Sequence, residues 1–470
     1  MSGLLSNLQT AARALSAHEA GVQVAGRNLA NVNNPTYARQ RVQLGDRIIT
    51  DSNLGPVGNG VEALGITQIR DRFLDVAVTR EISQSSYLRA QQSAFERAEA
   101  NLGEQVNRSE DSAFIGDLSH SGDGLSASIN DFFNSFESFA ASPRDAGLKP
   151  VLLQKSSILA NKFNVTDDRL VKLQEDLTGE AASGVTSANS LLTEIASLNT
   201  EIAQFEIDRP DSAIDLRDQR QARLEELGKF MDFSTRNIVG GHGQIQVLAK
   251  NTAGADVVLV DRGISNGLSF SGSTVSGGSP AATLNLTGGS IKGQIDARDG
   301  TIQTLRDDLK RAADQITTAV NGAYSPTGLN FFQAAPATGL MAVDPSLNIT
   351  TLKATATTDA GANEIALAIA DLSRQTFTTS GGALIDGTIG EFYSKTVTDL
   401  GGTLAGINGR LGDQELVQDL ITKQRDSVSG VSMDEEMADL IKFQRAYQAS
   451  SRVLTVIDEM LDGLINRTAI

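Results

Sequence analysis

Two stretches of the chain carry an apolar residue every three or four positions, and they lie at its two ends. Leu4, Leu8, Ala11, Leu15, His18, Val22, Ala25, Leu29 and Val32 follow a 4-3-4-3 spacing in which only His18 is polar. That is the seam of a heptad helix. It stops at Asn33-Asn34-Pro35, where proline forces the preceding residue out of the helical region. Leu440, Phe443, Tyr447, Ser450, Leu454, Ile457, Leu461 and Leu464 repeat the design, with only Ser450 polar. Ser432 is placed to cap this second helix, and Asp434, Glu435 and Glu436 suit the positive end of its dipole. One narrow apolar seam is not stable alone in water, so the spacing predicts that the first helix pairs with the last as a coiled coil.

Between the ends the pattern changes several times. Tyr37 to Gly65 is rich in Gly, Asn and Pro with short alternating runs, which predicts an extended arm or hairpin. Leu74 to Val106 reads as helix, Leu125 to Leu177 as two helices broken near Ser142-Pro143, then Val185 to Asp208 and Ile214 to Met231 as further helices. The segment Thr178 to Gly184 is the weakest point between two of them. Gly240 to Gly293 holds 12 of the 44 glycines. Its apolar runs at Ile245–Leu248, Val257–Val260, Leu268–Phe270 and Leu284–Leu286 are short and bounded by turn residues, which predicts strands. Helix is predicted again over Thr301 to Val320, a mixed Thr/Ala-rich stretch over 322–390, and helix over Glu391 to Asp426. The expected fold class is mainly α with a small inserted β domain, elongated and multidomain. Its parts are an axial core helix and arm at 1–45, a helical middle domain at 46–235, the β domain at 236–295, a second helical part at 296–429 and a C-terminal axial helix at 430–470.

Composition removes most chemistry. There are 470 residues, 40 Lys+Arg against 57 Asp+Glu, and a net charge of −17, the wrong sign for a surface that neutralises nucleic-acid phosphates. Cysteine is absent, which excludes thiol catalysis, disulfides and Cys-ligated metals. Three histidines, His18, His120 and His242, cannot build a His-rich metal site. No HExxH, GxSxG or P-loop occurs. Gly240-Gly241-His242-Gly243 reads as a turn, Ser119 to Gly124 around His120 as a polar loop, and Asp434-Glu435-Glu436 as a helix start. No catalytic, cofactor or metal site is expected. No stretch approaches the ~18 apolar residues of a membrane span, and the N-terminus lacks the basic and apolar regions of a cleaved signal peptide.

The unusual residues are structural: Asn28, Asn31, Asn33, Pro35 and Tyr37 after the first helix, and Gln444, Arg445, Ala446 and Tyr447 in the last. The runs Val24-Ala-Gly-Arg-Asn28-Leu-Ala-Asn31-Val-Asn33-Asn-Pro35-Thr-Tyr37 and Met433-Asp-Glu-Glu-Met-Ala-Asp-Leu440-Ile-Lys-Phe443-Gln-Arg-Ala-Tyr447 resemble the paired terminal signatures of bacterial flagellar rod, hook and hook-associated proteins. Pro35-Thr36-Tyr37 departs from that pattern, which has Gly before Tyr. Leu125 to Phe133, Ala160 to Asn164 and Leu216 to Arg220 are similar to the hook-associated protein 1 family of hook–filament junction proteins.

This resemblance implies a ring-forming structural protein and no catalysis. It implies self-association, contact with the hook protein and with a second hook–filament junction protein, and a cytoplasmic export chaperone at the C-terminal helical region. It also implies export by the flagellar type III apparatus without a cleaved signal peptide, and an extracellular place at the hook–filament junction. The alternatives are another axial component, such as a hook or distal rod protein, or a secreted cell-wall hydrolase carrying an axial module.

Overall fold

The computed structural model describes residues 2–49, 57–103, 124–334, 336, 338–357, 359 and 361–468. The first helix, α1 (Ser2–Ala30), ends where Asn31 to Asn34 turn. An antiparallel hairpin follows, β1 (Gln40–Ile49) and β2 (Val57–Gln68), with Gln40 opposite Gln68 and register shifts between Gln43/Leu44 and Asp46/Ile48. Four helices come next: α2 (Arg72–Leu102), α3 (Leu125–Ala141), α4 (Leu148–Glu206) and α5 (Ile214–Phe230). The β region has two antiparallel sheets. One orders β3 (Ser234–Asn237), β4 (Ile245–Lys250), β5 (Asp256–Asp261) and β6 (Ile264–Ser265); the other orders β7 (Leu268–Ser271), β8 (Thr274–Gly277) and β9 (Ala282–Thr283). Helix resumes with α6 (Gly289–Asp296), a π-helical turn at Ala297–Ile302, α7 (Gln303–Tyr324), α8 (Glu364–Asp371), α9 (Ile389–Ser429) and α10 (Met433–Thr468). The fold is mainly α with a small β insertion.

Several expectations about elements change. The break at Thr178 to Gly184 is absent: α4 runs through it as one helix of 59 residues. Two glycines cost about 1 kcal/mol each there, but Leu177, Ala181, Val185, Ala188 and Leu192 are all buried at helical spacing and carry the apolar stripe across. Helix also resumes at Gly289 rather than Thr301, with Ile291 and Ile295 buried. In the β region Leu284 and Leu286 are buried but form no strand beyond a bridge from Leu284 to Asn251. The Gly- and Ser-bearing β8, which has no apolar run to announce it, is a strand.

The chain forms two compact units that do not follow chain order. The first comprises Met1–Ser85, Val185–Gly289 and Gln414–Ile470; the second comprises Ser86–Gly184 and Ser290–Asp413.

The second unit holds a large aromatic core. On α3 the residues Leu125, Ile129, Phe132, Phe133, Phe136 and Phe139 are buried on one face. Phe132 lies edge-on to Phe133 at 5.1 Å and to Phe136 at 5.2 Å between ring centroids. Phe331 packs against Phe136 at 5.2 Å and Tyr324 at 5.5 Å, within the range of favourable edge-to-face contact. The mixed segment is tied to this core by side-chain amides that act as surrogate backbone. Asn321 Nδ2 donates to the Phe332 carbonyl, and its Oδ1 accepts from the amides of Phe331 and Phe332, each at 2.9 Å. Asn164 likewise donates to the Met341 carbonyl and accepts from the Leu340 and Met341 amides.

In the first unit the β strands are clamped to α4 by two more amides. Asn189 exchanges hydrogen bonds with the backbone of Leu268 at 2.7 and 2.8 Å. Asn199, wholly buried, donates to the carbonyls of Ile245 and Arg262 at 2.8 Å.

Candidate assembly interface

Within the first unit α1 lies along α10. A Cβ built on Gly21 would sit 2.6 Å from two atoms of the Phe443 ring, so that ring rests directly on the α1 backbone. His18 flanks the same ring, 6.4 Å away between centroids. Burial lowers the His18 pKa, and its Nδ1 has no hydrogen-bond partner among the described residues.

The deepest positions of α1 are Ala11, Ala17, Gly21, Val24, Ala25 and Asn28, while Leu8, Leu15, Val22, Leu29 and Val32 are half-buried. The helix is thus turned so that Gly21 and Asn28, rather than Val22 and Leu29, point at α10. On α10 Ile457 is buried, Leu440, Phe443, Ser450, Leu454 and Leu461 are half-buried, and Tyr447 is exposed. The side chains of Leu4 and Leu464 lie outside the described residues, as does the loop around His120.

Asn28 is the hub of the joint and only 1% exposed. Its Nδ2 donates to the Gln40 carbonyl and to Glu436 Oε2, both at 2.9 Å. Its Oδ1 accepts from the Gln40 amide at 3.0 Å and the Tyr37 hydroxyl at 2.9 Å. All four hydrogen-bonding positions of the amide are filled. Burial, then the nearby Asp218 and Asp215, raise the Tyr37 pKa well above the ordinary phenol, which keeps the hydroxyl a donor.

Arg39 binds the acidic first turn of α10, with Glu435 at 2.5 Å, Glu436 at 2.7 Å and Asp439 at 3.6 Å. Its amide donates to the Ser429 carbonyl at 2.8 Å. Arg425 on α9 donates to Glu225 at 2.8 Å and to the Pro35 carbonyl at 3.0 Å. The short segment after α1 is therefore stapled to α9 and α10 at once.

The remaining signature residues divide. Asn31 turns back onto the Arg27 carbonyl at 2.9 Å, while Asn33 and Pro35 are exposed. In the C-terminal signature Gln444, Arg445 and Tyr447 are exposed and Ala446 is half-buried. The outer surface of α10 also exposes large apolar side chains: Met433, Met437, Ile441, Val453, Val456 and Met460. The periodic seam indicated where the helices would pair, but spacing alone did not reveal Arg39, Gln40, Arg425 or Glu436 as the groups that lock the joint. Arg425 and Pro35 are 390 residues apart, and no local pattern links them.

A second polar cluster continues from the joint. Gln40 Nε2 donates to Asp215 at 2.9 Å, and Gln68 Nε2 makes a short bond to Asp218. Arg70 lies 3.2 Å from both Asp75 and Asp218 and donates to the Thr36 carbonyl at 2.9 Å. Burial outweighs the Arg70 charge, so the Asp218 carboxyl is pushed up to about 6 and Asp75 is also raised. Among the described residues no group of three or more His, Asp or Glu is arranged to hold a metal ion. His242 is exposed in the turn between β3 and β4, where Gly240, His242 and Gly243 all have positive φ. No helix among the described residues is long and apolar enough to cross a membrane.

The chain is similar to several known proteins. Residues 116–330 match the flagellar hook-associated protein FlgK helical domain, and residues 423–467 match the flagellar basal body rod FlgEFG protein C-terminal family. The chain is 26% identical to flagellar hook-associated protein 1 of Bacillus subtilis, over 99% of both chains. It is 24% identical to the protein of that name in Escherichia coli and 23% identical to that in Salmonella typhimurium, over 99% of this chain and 100% of each relative. The solved flagellar hook junction protein FlgK from Burkholderia pseudomallei is similar over 55% of this chain and 46% of that one, at 18% identity and a TM-score of 0.45.

Proposed function

We propose that the chain is a member of the flagellar hook-associated protein 1 family, to which it is similar over 99% of its length, and that it builds the hook–filament junction. It is a structural part of the flagellum, in a family not known as an enzyme family. The joined α1 and α10 form the axial element, and copies of the chain associate through the outer face of that pair into a ring. The hook protein lies on one side of the ring and a second junction protein on the other. Before assembly a cytoplasmic chaperone covers the C-terminal helical region, and the chain leaves through the flagellar type III apparatus without a cleaved signal peptide. The 236–295 segment, clamped to α4 by Asn189 and Asn199, serves lateral or surface contacts.

One observation carries this reading. Large apolar side chains of α10 are exposed in the single chain, with Val453, Val456 and Met460 each about half exposed or more. Exposed apolar area of this kind is stabilised by burial in an assembly. The test uses a substitution that the isolated chain tolerates. Val456→Asp should leave circular dichroism and thermal stability unchanged, because the position already faces water. A deletion strain complemented with it should make hooks, release flagellin into the medium and bear no filaments. Normal filaments on that variant would contradict the assembly face.

A further inference from the structure

Beside the joint, still within the first unit, lies a cavity of about 360 Å³ bordered by the first turns of α2 and α5 and by the β3–β4 hairpin. Four arginines line it: Arg70, Arg72, Arg217 and Arg220. Two of them are matched by acids. Arg70 has Asp75 and Asp218, and Arg217 holds Glu206 through two bonds of 2.9 and 2.7 Å and Asp211 at 2.8 Å. The other two make no ion pair among the described residues, although the Glu206 charge reaches Arg220. Arg72, exposed at the edge of the cavity, makes no hydrogen bond or ion pair with any described residue. Arg220 is 7% exposed, and among the described residues its side chain bonds only from Nη1, to Asn199 Oδ1 at 2.7 Å and the Gly243 carbonyl at 2.8 Å.

Both acceptors of Arg220 are neutral. A guanidinium prefers planar, bidentate pairing with an oxyanion, and a buried charge held only by neutral groups is costly. Burial, with the charge of Arg217 next, brings the Arg220 pKa down to about 9 and leaves it cationic at neutral pH. Arg72 opens α2 and Arg217 stands in the first turn of α5, so the positive ends of two helix dipoles meet the same cavity. Arg72 is close enough for its charge to act on Arg220.

We propose that this cavity is an oxyanion site, in which a carboxylate or phosphate group engages buried Arg220 and the edge residue Arg72. The oxyanion is either a free ion or an Asp or Glu side chain from a second copy of this acidic chain. The proposal does not depend on the junction reading, because binding of a free oxyanion can be measured on the monomer.

The test is calorimetric titration of the full-length monomer with inorganic pyrophosphate, together with melting curves in pyrophosphate and in chloride of matched ionic strength. The wild-type chain should bind and melt several degrees higher in pyrophosphate. Arg72→Gln, at an exposed position that supports no other contact, should fold normally and bind about tenfold more weakly, the effect of losing one charge-assisted contact. Arg220→Lys keeps the charge without the fork and should also weaken binding; should it fail to fold, Arg72→Gln decides alone. No binding by the wild-type chain, or equal binding by Arg72→Gln, would overturn the proposal. The source is then read from self-association followed by light scattering. Inhibition by pyrophosphate in the wild type but not in Arg72→Gln assigns the native oxyanion to a second copy. Binding without inhibition assigns it to a free ion.

Discussion

The aromatic core of the second unit and the α1–α10 pair bury apolar surface with opposite materials. Around Phe132, Phe136, Phe331 and Tyr324 the second unit packs whole rings that are 1% exposed or less. Among the described residues the buried apolar side chains of the terminal pair are Ala11, Ala17, Val24, Ala25 and Ile457, and at one contact the Phe443 ring lies over Gly21. At about 25 cal/mol per Å² of apolar surface, the first arrangement sustains itself. The second gains little from burial and relies on polar locks, the Asn28 hub and the Arg39 and Arg425 bridges. A region meant to fold alone needs large side chains inward. A region meant to be completed by copies of itself keeps part of its apolar surface outward, as α10 does.

The comparison can be broken first at its stronger side. Phe132→Ala should cost the second unit ~3–5 kcal/mol, the range for a buried aromatic truncated to alanine. Urea denaturation followed by circular dichroism would read this, and a loss below 1 kcal/mol would mean that the rings are not the source of stability.

Asn28→Ala tests the weaker side. It takes one hydrogen bond from the buried Glu436 carboxylate, which keeps Arg39, and both side-chain bonds from the Gln40 backbone, and each unsatisfied buried partner costs about 1–3 kcal/mol. The expected loss is about 2–3 kcal/mol, felt at the joint. Limited proteolysis should therefore cut α10 faster while the second unit stays resistant.

Gly21→Ala should have a smaller effect. The added methyl meets the Phe443 ring at 2.6 Å, and such overpacking costs ~1–3 kcal/mol against a gain of about 1 in helix propensity. Proteolysis of α10 should be faster than in the wild type; an unchanged rate would show that α10 can shift away without loss.

A pH dependence tests the polar cluster beside the joint. The Asp218 carboxyl is raised from 3.8 to about 6 in the folded chain. Between those values the folded chain holds a proton that the unfolded chain has released. This group therefore favours folding most below its unfolded pKa and loses that contribution as pH rises through about 6. Asp218→Asn should flatten the fall in melting temperature between about pH 4 and pH 6. Identical slopes in both chains would show that Asp218 titrates as an ordinary carboxylate.

These regions were not equally legible in the sequence. The terminal seams, the hairpin and the stripe of α3 show strict periodicity, and each appears as an element near its expected place. Continuity of α4 was hidden because Gly179 and Gly184 are local signals, whereas burial of Ala181, Val185 and Ala188 is a tertiary fact that outweighs them. In the joint, Asn28 reads locally as a helix-ending residue; only the arrival of Gln40 and Glu436 makes it a hub. Arg220 was visible as one charge among 40. That it is buried against neutral acceptors depends on Asn199 and Gly243, which the fold brings to it.

Hydrogen exchange on the same chain, first as a monomer and then in assembled junctions, reads whether neighbouring copies complete the terminal helices. Narrow-seam helices are marginal without neighbours. In the monomer Ser2–Ala30 and Met433–Thr468 should exchange far faster than α3 and α7, and on assembly their protection should rise to match while α3 and α7 stay unchanged. Terminal helices already as protected as α3 in the monomer, or no gain on assembly, would contradict it.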